Sequence, residues 1–505
     1  MQYGFVIDQR RCIGCHACTV ACKSENDVPL GDFRTWVKYA EVGTFPQVKR
    51  HFAVLRCNQC TSAPCVTICP VDALHKREDG IVDLSKDVCI GCKACMQACP
   101  YDALSLNEET GGAEKCHFCA HRVEQGLKPA CEIVCPVEAI ISGDFHDPNS
   151  RISQLRRDVP GAAARRTEQG TGPNVWYLGA HETLLEPGTA KEENTYLWSD
   201  RRSPPPPMPA KDAQRFQRQD ARVVLDVDHK LHWGAKVSAY LVTKGIGAGA
   251  CMWAPFLLAM NGSALAKDYA PELIGIVFTT LTTILLVADL KRPKLFLTLL
   301  LRPNWKSWLV KGAIVLIAFS TITAAIVGAR LLGLDAIANG LRWTNVLPAS
   351  MAAAYTAFLF AQCEGRDLWQ RTNVLLPHLL VQALWVGGAA LLPFIPDRGL
   401  AVAVAVLAIV HHALGLFERF STHHTSNAQQ AAAMLAEVKA WPGSRHSALH
   451  LGLATGTASA LLSAFLVVSG AAHPAALAMC AVLAWAGLFL YEQAYVRAGQ
   501  LPPLS

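Results

Sequence analysis

Two kinds of hydrophobic patterning divide the chain. Up to about residue 230 the apolar residues come in short runs broken by charges, glycines and prolines, none long enough to span a bilayer. From about residue 233 onward, Ala-, Leu- and Val-rich runs of about 20 residues follow one another, the length that crosses a hydrocarbon core. They predict an all-α bundle of eight transmembrane helices over about 235–260, 271–290, 310–334, 345–363, 373–395, 399–417, 447–469 and 475–496. An even count returns both ends of this half to one side. In the first half, Phe5–Asp8 and Ile81–Asp83 read as short strands, each leading into a cysteine loop. Val71-Asp-Ala-Leu74, Tyr101-Asp-Ala-Leu104 and Val137-Glu-Ala-Ile140 each follow a Cys-Pro pair, so C-P-x-[DE]-A-[LI] is an internal repeat. Residues 151–232 read as an irregular connector. They carry a basic patch (Arg151, Arg156, Arg157, Arg165, Arg166), the breaker Gly170–Pro173 and the proline run Ser203–Pro207, a stiff extended spacer. With too few apolar residues for its own core, the connector should lie over the cysteine-rich domain or a partner.

The cysteines supply the chemistry. Cys89-x2-Cys92-x2-Cys95-x3-Cys99-Pro100 has the bacterial-ferredoxin ligand spacing for a [4Fe–4S] cluster. Three thiolates on one tight loop face three irons of a cube, and the fourth leads away to ligate the neighbouring cluster. Cys12-x2-Cys15-x2-Cys18-x3-Cys22 and Cys57-x2-Cys60-x4-Cys65-x3-Cys69 precede it, and Cys116-x2-Cys119-x11-Cys131-x3-Cys135 follows. These four quartets use 16 of the 19 cysteines, leaving Cys251, Cys363 and Cys480 in apolar stretches. A disulfide framework suits secreted chains, but Met1 leads straight into a polar, strand-like start with no signal-peptide pattern. Zinc sites take ligands in two pairs, whereas these motifs are trios with a C-x3-C exit. Cys12-Ile-Gly-Cys15-His16 matches a haem c attachment, yet Cys18 and Cys22 follow it at ferredoxin spacing. The expectation is four [4Fe–4S] clusters and no haem, held in an α+β ferredoxin-like domain over residues 1–150 as two bis-cluster units that exchange fourth cysteines. Lys23, Lys93, Lys115 and Arg122 near the cubes are either solvated or raise cluster potentials.

Charge orients the bundle. The net charge of +6 is mild and comes with no nucleic-acid motif. The loops on the amino-terminal side carry Lys291, Arg292, Lys294, Arg302, Lys306, Lys311, Arg366, Arg371, Arg419, Lys439 and Arg445, against Lys267, Arg330, Arg342 and Arg398 opposite. Positive charge stays cytoplasmic. The protein is therefore expected in a bacterial-type inner membrane with its iron–sulfur domain in the cytoplasm.

Residues 1–150, with the long Cys60–Cys65 and Cys119–Cys131 gaps and Lys128-Pro-Ala-Cys131, resemble the iron–sulfur subunits of the dimethyl sulfoxide reductase and polysulfide reductase families. Residues 233–505 resemble the NrfD/polysulfide reductase anchor family, through Tyr240–Gly249, Ala288–Pro293, Trp305–Trp308, Gly365–Trp369 and the Ala498–Pro503 tail. The resemblance implies a fusion of two usually separate subunits. It implies electron transfer between a separate molybdenum or tungsten bis-pterin catalytic subunit and membrane quinone, with no haem in the anchor. A quinone site then belongs at the iron–sulfur end of the bundle.

Polar residues at membrane depth are functional candidates. His232, Trp233, Lys236 and Tyr240 lie at the mouth of the first span, as quinone ligands or as interfacial anchors. Lys244 is deeper, with Asp289 as its expected counter-charge, and both join the quinone-site candidates. His411 and His412 lie within the sixth span, about two helical turns before Glu418. Glu364, Glu418 and Glu492, near cytoplasmic ends, read either as a proton route or as solvated helix ends. Gly245, Gly247 and Gly249 lie in an apolar helix and read as close packing, not as a phosphate loop.

Overall fold

The computed structural model describes residues 1–191, 197–199, 218–261 and 265–505. The proline run at 203–207 lies outside the described residues. The first half is mixed α/β. Strand β1 (Tyr3–Asp8) sits between β8 (Ile140–Asp144), antiparallel, and β9 (Val175–Leu178), parallel. A second sheet pairs β2 (Thr35–Val42) antiparallel with β3 (Lys49–Arg56) and with β10 (Arg218–Val227). Two hairpins, β4–β5 (Leu74–Lys76 and Val82–Leu84) and β6–β7 (Leu104–Leu106 and Ala113–Lys115), follow the second and third cysteine motifs. Phe5, Ile7, Val54, Leu55, Phe118 and Tyr177 form the core between sheets and cysteine loops.

Among its described residues the connector is not wholly irregular, contrary to expectation. Val175–Leu178 and Arg218–Val227 are strands of the cysteine-rich domain, and Arg151–Asp158 is a helix capped by Ser150 Oγ and packed on β8. The reason is backbone satisfaction: β1 and β2 would otherwise expose a row of N–H and C=O groups. The domain therefore runs to about residue 227, well past 150.

The second half has eight long helices among the described residues: α1 (Ala235–Asn261), α2 (Leu265–Asp289), α3 (Trp308–Leu331), α4 (Asp335–Ala361), α5 (Thr372–Leu391), α6 (Arg398–Phe420), α7 (Ala448–Val468) and α8 (Pro474–Ala498). Seven are long and apolar enough to cross a membrane; α4 is not among them. The cause is its polar inward face. Arg342 and Asn345 sit on α4, fully buried, and Arg342 Nε and Nη2 bond the Glu272 carboxylate on α2 at 2.6 and 2.9 Å. Helices α1 and α5 are the inner pair: 83% of the apolar window of α1 and 72% of that of α5 are buried, against 33–39% for the other five spans. Gly249 of α1 and Gly387 of α5 meet there. A β-carbon on Gly249 would lie 1.8 Å from the Ala383 carbonyl oxygen, so the small residues serve close packing.

Candidate functional site

The ligand loops have one recurring backbone. Gly14 and Gly91 take φ of +70° and +68°, and His16 and Lys93, two residues on, take +59° and +64°. In the loops lacking that glycine, Gln59 (+47°), Phe118 (+60°) and Cys119 (+51°) turn the chain instead. The acidic residues of the internal repeat, Asp72, Asp102 and Glu138, are all left-handed as well. A non-glycine residue adopts this conformation only where its surroundings hold it. Its recurrence at equivalent positions means each loop is bent around something.

What the bends enclose is a set of four-thiol chambers. Cys12, Cys15, Cys18 and Cys135 line one cavity. Cys22, Cys116, Cys119 and Cys131 line a second, and Cys69, Cys89, Cys92 and Cys95 a third. The remaining four, Cys57, Cys60, Cys65 and Cys99, are mutual electrostatic neighbours. In every set three thiols come from one motif and the fourth from another. The first motif exchanges its last cysteine with the fourth motif, and the second exchanges with the third. Among the described residues no three His, Cys, Asp or Glu side chains converge tightly enough for a single metal ion. The thiols stand on the walls of the chambers, three from one motif and one from another, the donor set of a cubane. Burial pushes the Cys18 thiol up to about 11 and those of Cys92 and Cys99 up to about 12. Thiolates there need the charge of bound iron to exist near neutral pH. N–H donors already point at sulfur, from Ala139 to Cys135 at 3.2 Å and from Arg56 to Cys131 at 3.1 Å.

The quartets stand in a row. Cys15 is exposed, so its quartet opens to solvent. Cys18 neighbours Cys131 of the next quartet, Cys57 neighbours Cys116, and Cys65 neighbours Cys69 and Cys95. The row ends on the bundle. Asn304 Nδ2 donates to Cys69 O at 2.8 Å, Arg292 Nη1 to Cys89 O at 3.1 Å, and Trp233 Nε1 to Cys92 O at 3.5 Å. The loops expected on the amino-terminal side are the ones that touch the cysteine domain: Ser307 Oγ bonds Ile68 O, Arg366 bonds Gln97 and Asp367 pairs with Arg166.

The candidates at the mouth are brought together only in part. Trp233 is buried and stacks on Trp369 and Phe360, with ring centroids 5.6 and 5.9 Å apart. The backbone N–H groups of His232 and Trp233 both donate to Gln500 Oε1, at 3.1 and 3.0 Å. Burial lowers the His232 imidazole to about 4, against the pull of Asp102, so it is neutral at physiological pH. Lys236 caps the Ala288 carbonyl at 2.6 Å.

The expected Lys244–Asp289 pair is not there. Asp289 ends α2 at the domain boundary and pairs at 2.8 Å with Lys93 of the third cysteine loop. Lys244 lies nine residues into α1, about 13 Å deeper along the axis. It bonds Thr356 Oγ1 and lies 4.5 Å from the Tyr355 ring centre.

Below the mouth is a buried polar cluster. His378 Nε2 and His411 Nδ1 are 2.7 Å apart, His378 Nδ1 is 3.4 Å from Glu418, and Tyr491 donates to Glu418 at 2.9 Å. Gln382 donates to Glu492 at 2.8 Å. Glu418 and Glu492 are each 2% exposed, which removes the reading of solvated helix ends for both. Glu364 is only partly buried, and His412 bonds Thr457 instead of joining the cluster. Sequence reading missed His378, Gln382 and Tyr491. Their only signal was a polar side chain inside an apolar run, the criterion already applied to His411.

A cysteine-quartet domain clamped on the end of a helical membrane-type bundle defines an electron carrier joined to a membrane anchor. This protein belongs to the family described as polysulphide reductase, NrfD, which matches residues 224–490, and a 4Fe-4S dicluster domain matches residues 48–145. That second match covers three of the four cysteine motifs. The protein is similar to a subunit of the tetrathionate reductase of Salmonella typhimurium, 44% identical over 202 residues, or 39% of this chain and 80% of that protein. A chain of the polysulfide reductase of Wolinella succinogenes is 38% identical over 180 residues, 35% of this protein and 94% of its own length. The arsenate respiratory reductase iron–sulfur subunit ArrB of a Shewanella species is 36% identical over 226 residues, covering 35% and 96%. The protein is thus a fusion of a reductase-type iron–sulfur subunit with an NrfD anchor, a multi-pass membrane protein.

Proposed function

We propose that this chain conducts electrons through four [4Fe–4S] clusters between a separate catalytic subunit and quinone in the membrane. The quartets Cys12/Cys15/Cys18/Cys135, Cys22/Cys116/Cys119/Cys131, Cys57/Cys60/Cys65/Cys99 and Cys69/Cys89/Cys92/Cys95 would each hold one cluster, which supplies one-electron carriage when bound. The observation that carries the reading is the row itself, from exposed Cys15 to Cys92 beside Trp233. The exposed end suits docking of a molybdenum or tungsten bis-pterin subunit, the kind of partner implied by the resemblance.

At the other end Trp233 lies beside the last quartet with His232 next to it, and Tyr240 is buried seven residues further along the chain in α1. A quinone head group there would need hydrogen-bond partners and protons. Neutral His232 is a proton donor or acceptor for it. Lys244 and the Glu492–Glu418–His378 cluster lie deeper, in the bundle half that faces the cysteine domain, and would hold protons near that site. The reading takes α4 as an eighth span, which keeps both ends of the bundle on the cysteine-domain side. The charge bias of the loops then favours a cytoplasmic iron–sulfur domain, with oxidation of a donor such as sulfite or formate and reduction of quinone. The reductase names of the relatives favour the opposite arrangement, a periplasm-facing, quinol-oxidising reductase. A third reading is an ion-translocating or structural anchor without a quinone site.

Anaerobic purification should yield sixteen irons and sixteen acid-labile sulfides per chain, one cubane for each of the four quartets. Far fewer would end the four-cluster reading. His232→Ala and Tyr240→Phe should slow quinone-linked turnover while leaving dithionite reduction of the clusters intact. Undiminished turnover in both would remove these residues from the site. A reporter inserted in the 470–473 loop, opposite the cysteine domain, should be active in the periplasm; cytoplasmic activity would favour the quinol-oxidising arrangement.

A further inference from the structure

Arg56 ends β3 and is 1% exposed. Its charge has no acidic partner: among the described residues no carboxylate lies within ion-pair distance. Nη1 donates to Cys131 Sγ at 3.1 Å, while Nε and Nη2 are buried without hydrogen-bond partners. Its plane lies 4.4 Å from the centre of the Phe5 ring. Arg34 lines the same chamber but spends its charge on Glu114, at 2.6 Å. Of the other buried arginines, Arg342 and Arg166 are likewise matched by Glu272 and Asp367, whereas Arg165 and Arg366 donate to the oxygens of Leu504, Gln97 and Gln500 and to no thiol. An isolated guanidinium in a protein interior is strongly unfavourable. It persists where a negative charge is close, and the only negative charge available here is that of thiolates. Those nearest are Cys131 and Cys116 of one quartet and Cys18 of the next.

We propose that Arg56 is the internal counter-ion of the quartet Cys22/Cys116/Cys119/Cys131 and raises the reduction potential of the cluster held there. This rests on the cluster reading given above and goes beyond it, by making one site in the middle of the row a place where an electron pauses. The argument is Coulombic. Accepting one electron adds one negative charge beside a fixed positive one, so the reduced form gains relative to the oxidised form. The electron enters from one neighbouring quartet and leaves to the other, so no bond is made or broken and no proton is required. Arg56 touches sulfur, not substrate, and is a positioning residue for charge. Cys18 is its neighbour across the gap, so the quartet Cys12/Cys15/Cys18/Cys135 feels a weaker version of the same field.

The test is a redox titration followed by electron paramagnetic resonance on the anaerobically purified full chain, with iron counted on every sample. Arg56→Gln removes the charge and keeps a donor, Arg56→Met removes both, and Arg56→Lys keeps the charge. In the Gln and Met variants one of four clusters should lose roughly ten- to a hundredfold in its reduced-to-oxidised ratio at a fixed poise, while the Lys variant loses much less. If the loaded Gln and Met variants titrate like the parent protein, the proposal is overturned. If only Met shifts, the hydrogen bond and not the charge is responsible, and the proposal is equally overturned. Should both neutral variants lose a cluster, Arg56→Lys decides: restored iron upholds the counter-ion role, and continued loss shows that shape alone was needed. A parent protein that binds far fewer than sixteen irons would refute the four-cluster reading instead, so the two failures are distinguishable.

Discussion

Gly249 leaves no room for a side chain: the nearest atoms to a β-carbon there are the Ala383 carbonyl oxygen and carbon at 1.8 and 2.6 Å, both backbone. Backbone cannot swing aside, so Gly249→Ala must push α1 and α5 apart. We expect a loss of about 1–3 kcal/mol, read as a lower unfolding midpoint in detergent; an unchanged midpoint would contradict the packing. His229 makes the second residue-scale prediction. It opposes Asp102 on one side and Asp226 at 3.6 Å on the other. Burial pulls its pKa down, but the two carboxylates prevail and raise it to about 10. A raised pKa contributes stability that is complete below the unfolded value of about 6.5 and is lost as pH rises through the folded one. Thermal stability should therefore decline between about pH 6.5 and pH 10, and His229→Gln should remove that part of the slope. The cysteine ligands were legible at this scale because cluster chemistry demands fixed spacing. Arg56, His378 and Gln500 were not, because each acts through partners far away in sequence.

At the scale of elements, all eight long helices were legible from their apolar runs, although only seven are long and apolar enough to cross a membrane. The weakest is α4, whose apolar run was read as starting at residue 345, while the helix begins at Asp335. Arg342 made its first turns look like a loop. Only the fold shows that Glu272, on a different helix, neutralises it. Breaking such a pair strands a buried charge, so Glu272→Gln should cost about 3–5 kcal/mol. Glu272→Leu combined with Arg342→Met should recover most of that, measured by the same unfolding midpoint. If the single variant is as stable as the parent, the pair is not structural. Strands β9 and β10 escaped sequence reading for another reason. A short strand is recognised by its partner, and theirs, β1 and β2, lie more than a hundred residues earlier.

For the whole molecule the junction decides function. Arg366 is 4% exposed, donates to Gln97 Oε1 at 2.8 Å and reaches Gln500 O at 3.2 Å. Gln97 also donates to Gln500 Oε1 at 2.8 Å. Three separate stretches are thereby tied together beside the last quartet. Arg366→Ala should leave iron content and the first quartets unchanged but loosen that seat. Stopped-flow mixing should then show cluster reoxidation by quinone slowed by roughly tenfold, the cost of about one strong hydrogen bond to a charged group; an unaltered rate would mean the seat is rigid without it. Asp289 teaches the same lesson. Sequence offered Lys244 as its partner because both belong to the membrane half, whereas the fold sets Lys93 of the cysteine domain against it.

Spacing and hydropathy alone determined that this chain holds cysteine quartets of cluster type, that its second half is a helical membrane bundle, and that the two are fused. Those properties are local: a ligand loop and an apolar helix each carry their requirements within some twenty residues. Which motif lends its fourth cysteine to which, the order of the quartets in the row, the uncompensated Arg56 and the buried His378–Glu418 cluster were decided by tertiary structure. Each depends on the distance between atoms remote in the chain, and a charge or a thiol acquires its role only from what folding brings beside it.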